Sequence, residues 1–372
     1  MTLLTNLVPP YRTAAYDALH QRAKRAGGAL RVLCTHPREP QRNWAAPNGD
    51  FECATLPGVH IPLGENRSFA IPFGVIRALG DTRTDALILA GFGIAQWQAQ
   101  NWALMRSIPT ILQFDGWSGS DAVYANPVRR KLRNAMIARA NGFVAASSRG
   151  AAWFKSHGIA PDAIKIAPIP PSFKLPAMSF RRAMADRQYD LLWCGRTTRS
   201  KGFDIFIRVA TKLAQTRTIR QIAIVGSTDI EHTTQRLISA GLFDLADVFG
   251  QLPPDQLPPY LGKSKIALFP SRNDAYGVGV IDAIKCGAVA LASPMVGCAA
   301  DVLRAPETLS TDDPEIWVST CQRLLGNADL WQRSRQSQIT ATTDNTAQHH
   351  SETIWQAVID AAHRKSAGRQ WG

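Results

Sequence analysis

A short basic loop is the first segment whose residues suit chemistry. In residues 194–202, Gly195 permits a tight turn, and Arg196 and Lys201 flank that turn ahead of a predicted helix. A helix N-terminus presents unpaired N–H groups to an anion, and an Arg and a Lys on one loop suit a diphosphate. Taken alone, the segment is equally well explained as a solvated basic loop.

A second segment, residues 270–287, places two carboxylates around another predicted strand-to-helix turn. Asp274 comes just before the helix, and Asp282 lies one turn into it on the face shared with Val278. Two such carboxylates around a nucleotide sugar can accept hydrogen bonds from neighbouring hydroxyls. Either acid taken alone is better explained as a helix cap or a surface charge.

The elements that must position these loops alternate short apolar runs with amphipathic stretches, which is typical of βαβ units and parallel sheets. Strands are predicted near residues 2–7, 29–35, 86–89, 110–114 and 142–146, and again near 190–194, 221–226, 266–270 and 288–293. Helices are predicted at 12–25, 97–105, 202–215, 277–286 and 348–365. Loops at the carboxyl ends of the strands are therefore expected to bind the ligand, in a cleft between two domains.

The proline-rich stretch that begins at residue 167 divides the chain. We predict an α/β protein with a first domain over 1–166, a linker over 167–187 and a second domain over 188–347. The amphipathic helix over 348–365 is predicted to pack back on the first domain, because its apolar stripe needs a partner surface.

Together the two chemical segments read G-R-x4-K-G and P-S-x2-D-x-Y-G-x4-D-A-x2-C-G. This order resembles the retaining GT-B glycosyltransferases of family 4, the group that includes sucrose and glycogen synthases and bacterial polysaccharide and lipid-glycan transferases. The second segment is similar to that family's E-x7-E element, with Asp274 and Asp282 in place of both glutamates. The resemblance implies two Rossmann-like domains that face a cleft, with an acceptor-side domain over 1–166 and a nucleotide-sugar-binding domain over 188–347. It also implies transfer of a hexose from a nucleotide-diphosphate sugar.

The resemblance also implies roles for individual residues. Arg196 and Lys201 hold the donor diphosphate and stabilise the leaving group, so no metal ion or other cofactor is expected. Asp274 holds the transferred sugar. Asp282 accepts hydrogen bonds from the ribose hydroxyls. The remaining donor-binding positions are Gly195, the amides of Tyr276, Gly277, Val278 and Gly279, and, beside the base, Gly250.

The two aspartates depart from the family pattern by one methylene each. A carboxylate loses about an ångström of reach, and such a misplacement can cost roughly 100-fold in rate. Three consequences are open: the backbone lies closer to the ligand, the donor differs from that of the family, or activity is lost. We expect one of the first two, since the flanking Tyr-Gly, Pro-Ser and Cys-Gly pairs are intact.

On the acceptor side, the opening segment 6–12 is similar to family members that act on lipid-linked acceptors. It supplies the candidates Pro10, Tyr11 and Arg12. Asp115 follows a predicted strand and is a further acceptor-side candidate, although a helix-capping role explains it as well.

The net charge of +13 is uneven along the chain: residues 1–185 hold 22 Lys/Arg and 10 Asp/Glu, and residues 186–372 hold 20 and 19. Arg129, Arg130, Lys131 and Arg133 lie on a predicted amphipathic helix that could rest on an anionic leaflet. A charged helix face packed on the sheet explains them as well. The six cysteines are scattered, and no signal peptide is apparent, so we expect a cytoplasmic protein, peripheral on the inner membrane face.

Three other functional classes are consistent with parts of the sequence. The basic composition, with a pI near 9.8, suggests a nucleic-acid-binding protein, but no nucleic-acid motif accompanies it, so no nucleic-acid partner is expected. A nucleotide-sugar epimerase would need a His and acid set that His20, His36 and His60 do not provide. A GT-B partner subunit without activity is supported only by the aspartate pair.

Overall fold

The computed structural model describes residues 1–37, 48–62, 68–122, 126–175, 182–305, 307–311 and 313–367. The chain forms two compact units, of which the first comprises Met1–Pro170 together with Thr346–Gly372 and the second comprises Pro171–Asn345. Part of the predicted linker, residues 176–181, lies outside the described residues.

The first unit contains a seven-stranded sheet whose pairs are all parallel. Its strands are β1 (Thr2–Thr5), β2 (Arg31–Cys34), β3 (Glu52–Thr55), β6 (Leu87–Ala90), β7 (Thr110–Phe114), β8 (Gly142–Ala145) and β9 (Ile164–Ile166), in the order β3-β2-β1-β6-β7-β8-β9. Strands β4 (Gly58–Pro62) and β5 (Ser68–Pro72) pair antiparallel outside this sheet. The five predicted strands are present, whereas β3, β4, β5 and β9 were not predicted.

Helices cover both faces of this sheet because successive strand residues point to opposite sides. On one face, Leu3 and Ile88 pack with α1 (Pro10–Arg25) and α14 (Ala347–Ala367). On the other face, Leu4 and Leu89 pack with the remaining longer helices. These are α2 (Val75–Gly80), α3 (Ile94–Met105), α5 (Pro127–Arg139) and α6 (Ser148–Ser156), and the short α4 is Ser118–Ala122.

The C-terminal helix α14 completes the core of the first unit. Ile354, Ala357, Val358 and Ala361 are buried together with strand residues. The helical spacing also predicts Ala362 on this apolar face, but Ala362 is exposed.

The second unit contains a five-stranded parallel sheet in the order β12-β11-β10-β13-β14. The strands are β10 (Tyr189–Cys194), β11 (Ile222–Ser227), β12 (Ala246–Gly250), β13 (Ser264–Phe269) and β14 (Val289–Ala292). The helices are α7 (Phe203–Gln215), α8 (Ile230–Ser239), α9 (Pro258–Gly262), α10 (Val278–Lys285), α11 (Ala299–Val302), α12 (Pro314–Leu325) and α13 (Ala328–Ala341). The predicted pair of parallel-sheet α/β domains is confirmed.

Among the described residues, no helix combines the length and the apolar character needed to cross a lipid bilayer.

Candidate functional site

An ion pair joins the two chemical segments of the second unit. Lys201 Nζ lies 2.6 Å from Asp274 Oδ2, and the side chains are 24% and 20% exposed. Lys201 follows β10 and Asp274 follows β13, and these two strands are neighbours in the parallel sheet. Because parallel strands end at the same edge of a sheet, two loops about 70 residues apart in sequence meet there.

Arg272 fixes the two loops to each other through both backbone and side chain. Its amide donates to the Ser200 carbonyl at 2.8 Å, and its Nη1 donates to the Arg199 carbonyl at 2.8 Å. The guanidinium also binds both oxygens of Asp204, at 2.7 and 2.8 Å. The hydrogen bond from Arg272 lowers the pKa of Asp204, which keeps that carboxylate charged.

The two loops are also in close backbone contact, between Gly202 and the carbonyl of Pro270. Gly202 has φ +81° and caps the start of α7. A Cβ atom at this position would lie 1.9 Å from the Pro270 carbonyl oxygen. Only glycine satisfies both the positive φ and this contact.

The basic loop itself is anchored at its first residue. The Gly195 amide donates to the Val225 carbonyl at 2.9 Å, and the Gly195 carbonyl accepts from Trp193 Nε1 at 2.8 Å. Arg196 follows directly and is half-buried. The hydroxyl of Thr198 is buried, and it has no hydrogen-bond partner among the described residues.

The acidic loop leads into α10 through Gly277, whose φ is +95°. The Asp274 amide donates a hydrogen bond to the Met295 carbonyl at 3.0 Å. Tyr276 is buried and its hydroxyl accepts from Asn345 Nδ2 at 2.7 Å. Val278 and Gly279 are partly exposed in the first turn of α10, so the start of this helix is open to a ligand.

Asp282 is buried inside the second unit, and both of its oxygens are engaged. Ser172 donates its amide to Oδ1 at 2.7 Å and its hydroxyl to Oδ2 at 2.6 Å. Burial raises the pKa of Asp282 to about 7, against the opposing effect of the Ser172 hydrogen bonds. The predicted ribose contact remains a prediction, whereas the bond to Ser172 was not foreseen.

Gly250, the candidate beside the base, is the last residue of β12. It lies near the side chain of Ile230, which is 51% exposed at the start of α8. An exposed apolar side chain at a strand end offers a surface on which a planar base can stack.

In the first unit, the acceptor-side candidates Arg12 and Asp115 are in direct contact. Arg12 is 2% exposed, and its Nη2 lies 2.6 Å from Asp115 Oδ1, whereas Asp115 is 40% exposed. Gln113 completes this contact when its amide oxygen faces Arg12, at 3.0 and 3.2 Å from the two terminal nitrogens. Pro10 occupies the first turn of α1 and Tyr11 is half-buried beside it.

His350 of α14 is a further member of this cluster that the sequence did not reveal. Its Nε2 contacts Arg12 Nη1, and its Nδ1 is 3.0 Å from the Pro168 carbonyl. Burial, with the charge of Arg12 next, holds the pKa of His350 well below its usual value. The ring is therefore neutral, donating from Nδ1 and accepting from Arg12 at Nε2. The one sequence feature that could have identified His350 is the position of a histidine on the apolar face of α14.

The basic helix α5 separates its cations into two groups. Arg129, Arg130 and Lys131 are exposed, beside Val128, which is 74% exposed. The prediction that Arg133 faces a membrane is wrong. Arg133 is 8% exposed, pairs with Asp121 and lies over the Trp153 ring at 5.2 Å.

In the ranges that the structure describes, no three His, Cys, Asp or Glu side chains converge as a metal site would require. Cys34 and Cys53 approach to 3.8 Å between their sulfur atoms on adjacent strands. The six cysteines are free thiols.

Comparison with known proteins agrees with this arrangement. Residues 188–327 match the family model Glycosyl transferases group 1. A D-inositol 3-phosphate glycosyltransferase of Salinispora arenicola is 25% identical over 194 residues, which are 48% of this chain and 43% of the relative. The match thus spans less than half the length of this curated relative.

Two solved structures show the fold. The Anabaena protein HepE, in a complex with UDP, matches with a TM-score of 0.71 at 11% identity, over 95% of this chain and 98% of its own. Sucrose-phosphate synthase of Thermosynechococcus elongatus matches with a TM-score of 0.62 at 16% identity, over 100% and 98%. The GT-B fold and the resemblance to GT-B glycosyltransferases are confirmed.

The contact at Gly202 predicts a difference between two glycines of the second unit. Gly241 also has positive φ, +67°, but a Cβ there would meet nothing within 4 Å. Gly241→Ala should cost about 1–2 kcal/mol for the backbone conformation alone. Gly202→Ala should cost about 3 kcal/mol or more, because the clash with Pro270 adds to it. Urea denaturation measures both, and equal losses would contradict the close contact.

The buried Asp282 predicts a pH effect on stability. Its folded-state pKa, about 7, exceeds its ordinary value of 3.8. Its contribution to the free energy of unfolding is therefore fully present below about pH 4 and is lost as the pH rises through about 7. Asp282→Asn should remove this loss, so its unfolding free energy should fall less between about pH 5 and pH 8 than the wild-type value.

The matched control for this pH effect is Asp244→Asn, which changes an exposed carboxylate of the same unit. It should leave the wild-type pH dependence unchanged. A difference between wild type and Asp282→Asn that is constant with pH would show that Asp282 titrates normally.

Proposed function

We propose that this protein is a retaining glycosyltransferase that moves a sugar from a nucleotide-diphosphate donor to a glycan or lipid-linked acceptor. The observation that carries the proposal is the ion pair between Lys201 and Asp274, which unites the two motifs of the resemblance at one sheet edge. The family match over residues 188–327 includes both motifs. The base and the sugar are left open; UDP is bound by the similar HepE structure.

The basic loop supplies the charge that the departing diphosphate requires. As the bond to the sugar breaks, negative charge grows on the bridging oxygen, and Arg196 and Lys201 stabilise it electrostatically. Asp274 holds the Lys201 ammonium at the mouth of the loop and accepts hydrogen bonds from the sugar. In this proposal the two cations take the place of a metal ion.

Asp282 takes part through the acceptor capacity that Ser172 leaves on its oxygens. Each carboxylate oxygen has two lone pairs, and Ser172 uses one on each. In this proposal a ribose hydroxyl donates to a remaining lone pair of the buried carboxylate, while Ser172 keeps its two hydrogen bonds to the same group.

On the acceptor side, Arg12 orients Asp115 at the end of β7. Asp115, His350 and Gln113 engage both terminal nitrogens of Arg12, which is 2% exposed, so we assign it a positioning role rather than contact with the acceptor. Asp115 is 40% exposed, and its carboxylate is placed to accept a hydrogen bond from an acceptor hydroxyl.

The first unit is also proposed to rest on an anionic membrane surface. Arg129, Arg130 and Lys131 project from the first turns of α5 beside the exposed Val128. Cations with an adjacent apolar side chain fit the charged and apolar layers of a lipid interface. A lipid-linked acceptor lies at such a surface, which explains why the charge excess is in the first half.

Removal of either donor cation should slow transfer. Arg196→Ala and Lys201→Ala should each lower kcat by roughly 100- to 1000-fold, through loss of leaving-group stabilisation. Arg220→Ala, which removes an exposed arginine of the same unit, should not. Turnover is followed as release of nucleoside diphosphate from a panel of nucleotide sugars. EDTA should leave wild-type turnover intact, and normal turnover by both alanine variants would overturn the donor assignment.

Replacement of the three exposed cations in the first turns of α5 should weaken membrane binding. Each contributes about 1 kcal/mol near an anionic surface, so Arg129→Gln, Arg130→Gln and Lys131→Gln together should weaken vesicle binding roughly 100-fold. The effect should disappear at high salt, as the Debye length falls from about 10 Å at 0.1 M to about 3 Å at 1 M.

The control for vesicle binding carries Lys24→Gln, Arg25→Gln and Arg83→Gln, which remove the same charge from exposed positions of the same unit. Co-sedimentation with vesicles of varied anionic content compares the two. Equal binding of the two triple variants would show that α5 does not contact the membrane. The proposed acceptor would then be a soluble glycan.

A further inference from the structure

A basic groove lies between α7 and α8 of the second unit. Arg199 and Arg272 line it from the two loops of the predicted donor site, and its other lining residues lie outside those loops. It is an open groove with a volume of about 770 Å³, within the range of small-molecule sites. Its charged and titratable lining consists of Arg199, Arg208, Arg236, Arg272, His232 and Asp204.

The positive charge in this groove is local and unbalanced. Asp204 is its only lining carboxylate, and Arg272 already binds it through two hydrogen bonds. Within the described part of the chain, no carboxylate is at ion-pair distance from the other three arginines. Since residues 186–372 hold 20 basic and 19 acidic residues, such a cluster is a local concentration and not a consequence of general basicity.

Two of the guanidinium groups are held in place before any ligand arrives. Arg236 lies over the ring of Phe203 at 4.8 Å, and that ring is fully buried. Asp204 fixes Arg272 in a two-point pair. Side chains that are already ordered lose little conformational freedom on binding, so the groove is preorganised.

We propose that this groove binds a phosphate-bearing ligand, through the phosphate dianion of a soluble metabolite or of a lipid headgroup. Guanidinium groups match phosphate oxygens in paired hydrogen bonds. Arg208 and Arg236 face the groove from two different helices, so they can hold one phosphate between them. Gln235 adds neutral donor and acceptor groups for a polar substituent.

The test is titration of the full chain with tripolyphosphate. Every protein also carries Arg196→Ala and Lys201→Ala, which remove both phosphate contacts proposed for the donor loop. Arg208→Gln with Arg236→Gln should weaken binding by about tenfold or more, because each removes a charge-assisted hydrogen bond. Arg220→Gln with Arg323→Gln, exposed arginines of the same unit, should leave it unchanged.

Equal weakening by both pairs, or no saturable binding to the parent protein, would overturn the proposal. Because Arg236 also packs on Phe203, Arg208→Glu provides a second variant at an exposed position. It should abolish binding while the thermal midpoint stays at the parent value, and unimpaired binding would refute the site.

Vesicles that contain phosphatidic acid separate the two sources of phosphate, when every protein also carries Arg129→Gln, Arg130→Gln and Lys131→Gln, which remove the vesicle contact proposed for α5. If tripolyphosphate binds to the groove but vesicles do not, the ligand is a soluble metabolite. If vesicle binding is also lost in Arg208→Glu, the ligand is a lipid headgroup. This outcome does not depend on transferase activity, so failure of the groove and failure of the donor site can be told apart.

Discussion

The contact between Gly202 and the Pro270 carbonyl is the constraint on which the second unit's site depends. Lys201 is adjacent to this contact, and Asp274 lies four residues beyond it. A partly exposed ion pair contributes about 1 kcal/mol or less, too little to hold two loops together. The backbone contact and the hydrogen bonds of Arg272 therefore determine the geometry, and the ion pair follows from it.

In the first unit, by contrast, the cation at the centre of the candidate site, Arg12, is buried. A buried arginine is tolerated only when its charge and donors are matched. Arg12 is matched by Asp115, by Gln113 and by a neutral His350. The last of these comes from α14, more than three hundred residues later in the chain. The C-terminal helix thus completes the cluster electrostatically as well as by packing.

The sequence predicted the features that depend on local pattern. The strands and helices that carry the two motifs follow from apolar runs and glycines, and the meeting of Lys201 with Asp274 follows from the order of parallel strands. Arg133 could not be placed in this way, because its partners Asp121 and Trp153 lie on other helices. The bond between Asp282 and Ser172 was also inaccessible, since it joins residues 110 positions apart.

The charges around the two loops suggest why a diphosphate fits. Four cations lie on the loops: Arg196, Arg199, Lys201 and Arg272. Two carboxylates oppose them, since Asp274 pairs with Lys201 and Asp204 pairs with Arg272. Each acid ties a cation of one loop to the neighbouring segment, which stabilises the loops without neutralising them. The two acids therefore hold the loops in the arrangement that brings Arg196 and Lys201 to one edge of the sheet. The proposed diphosphate contact requires this arrangement, because both cations must reach the same ligand.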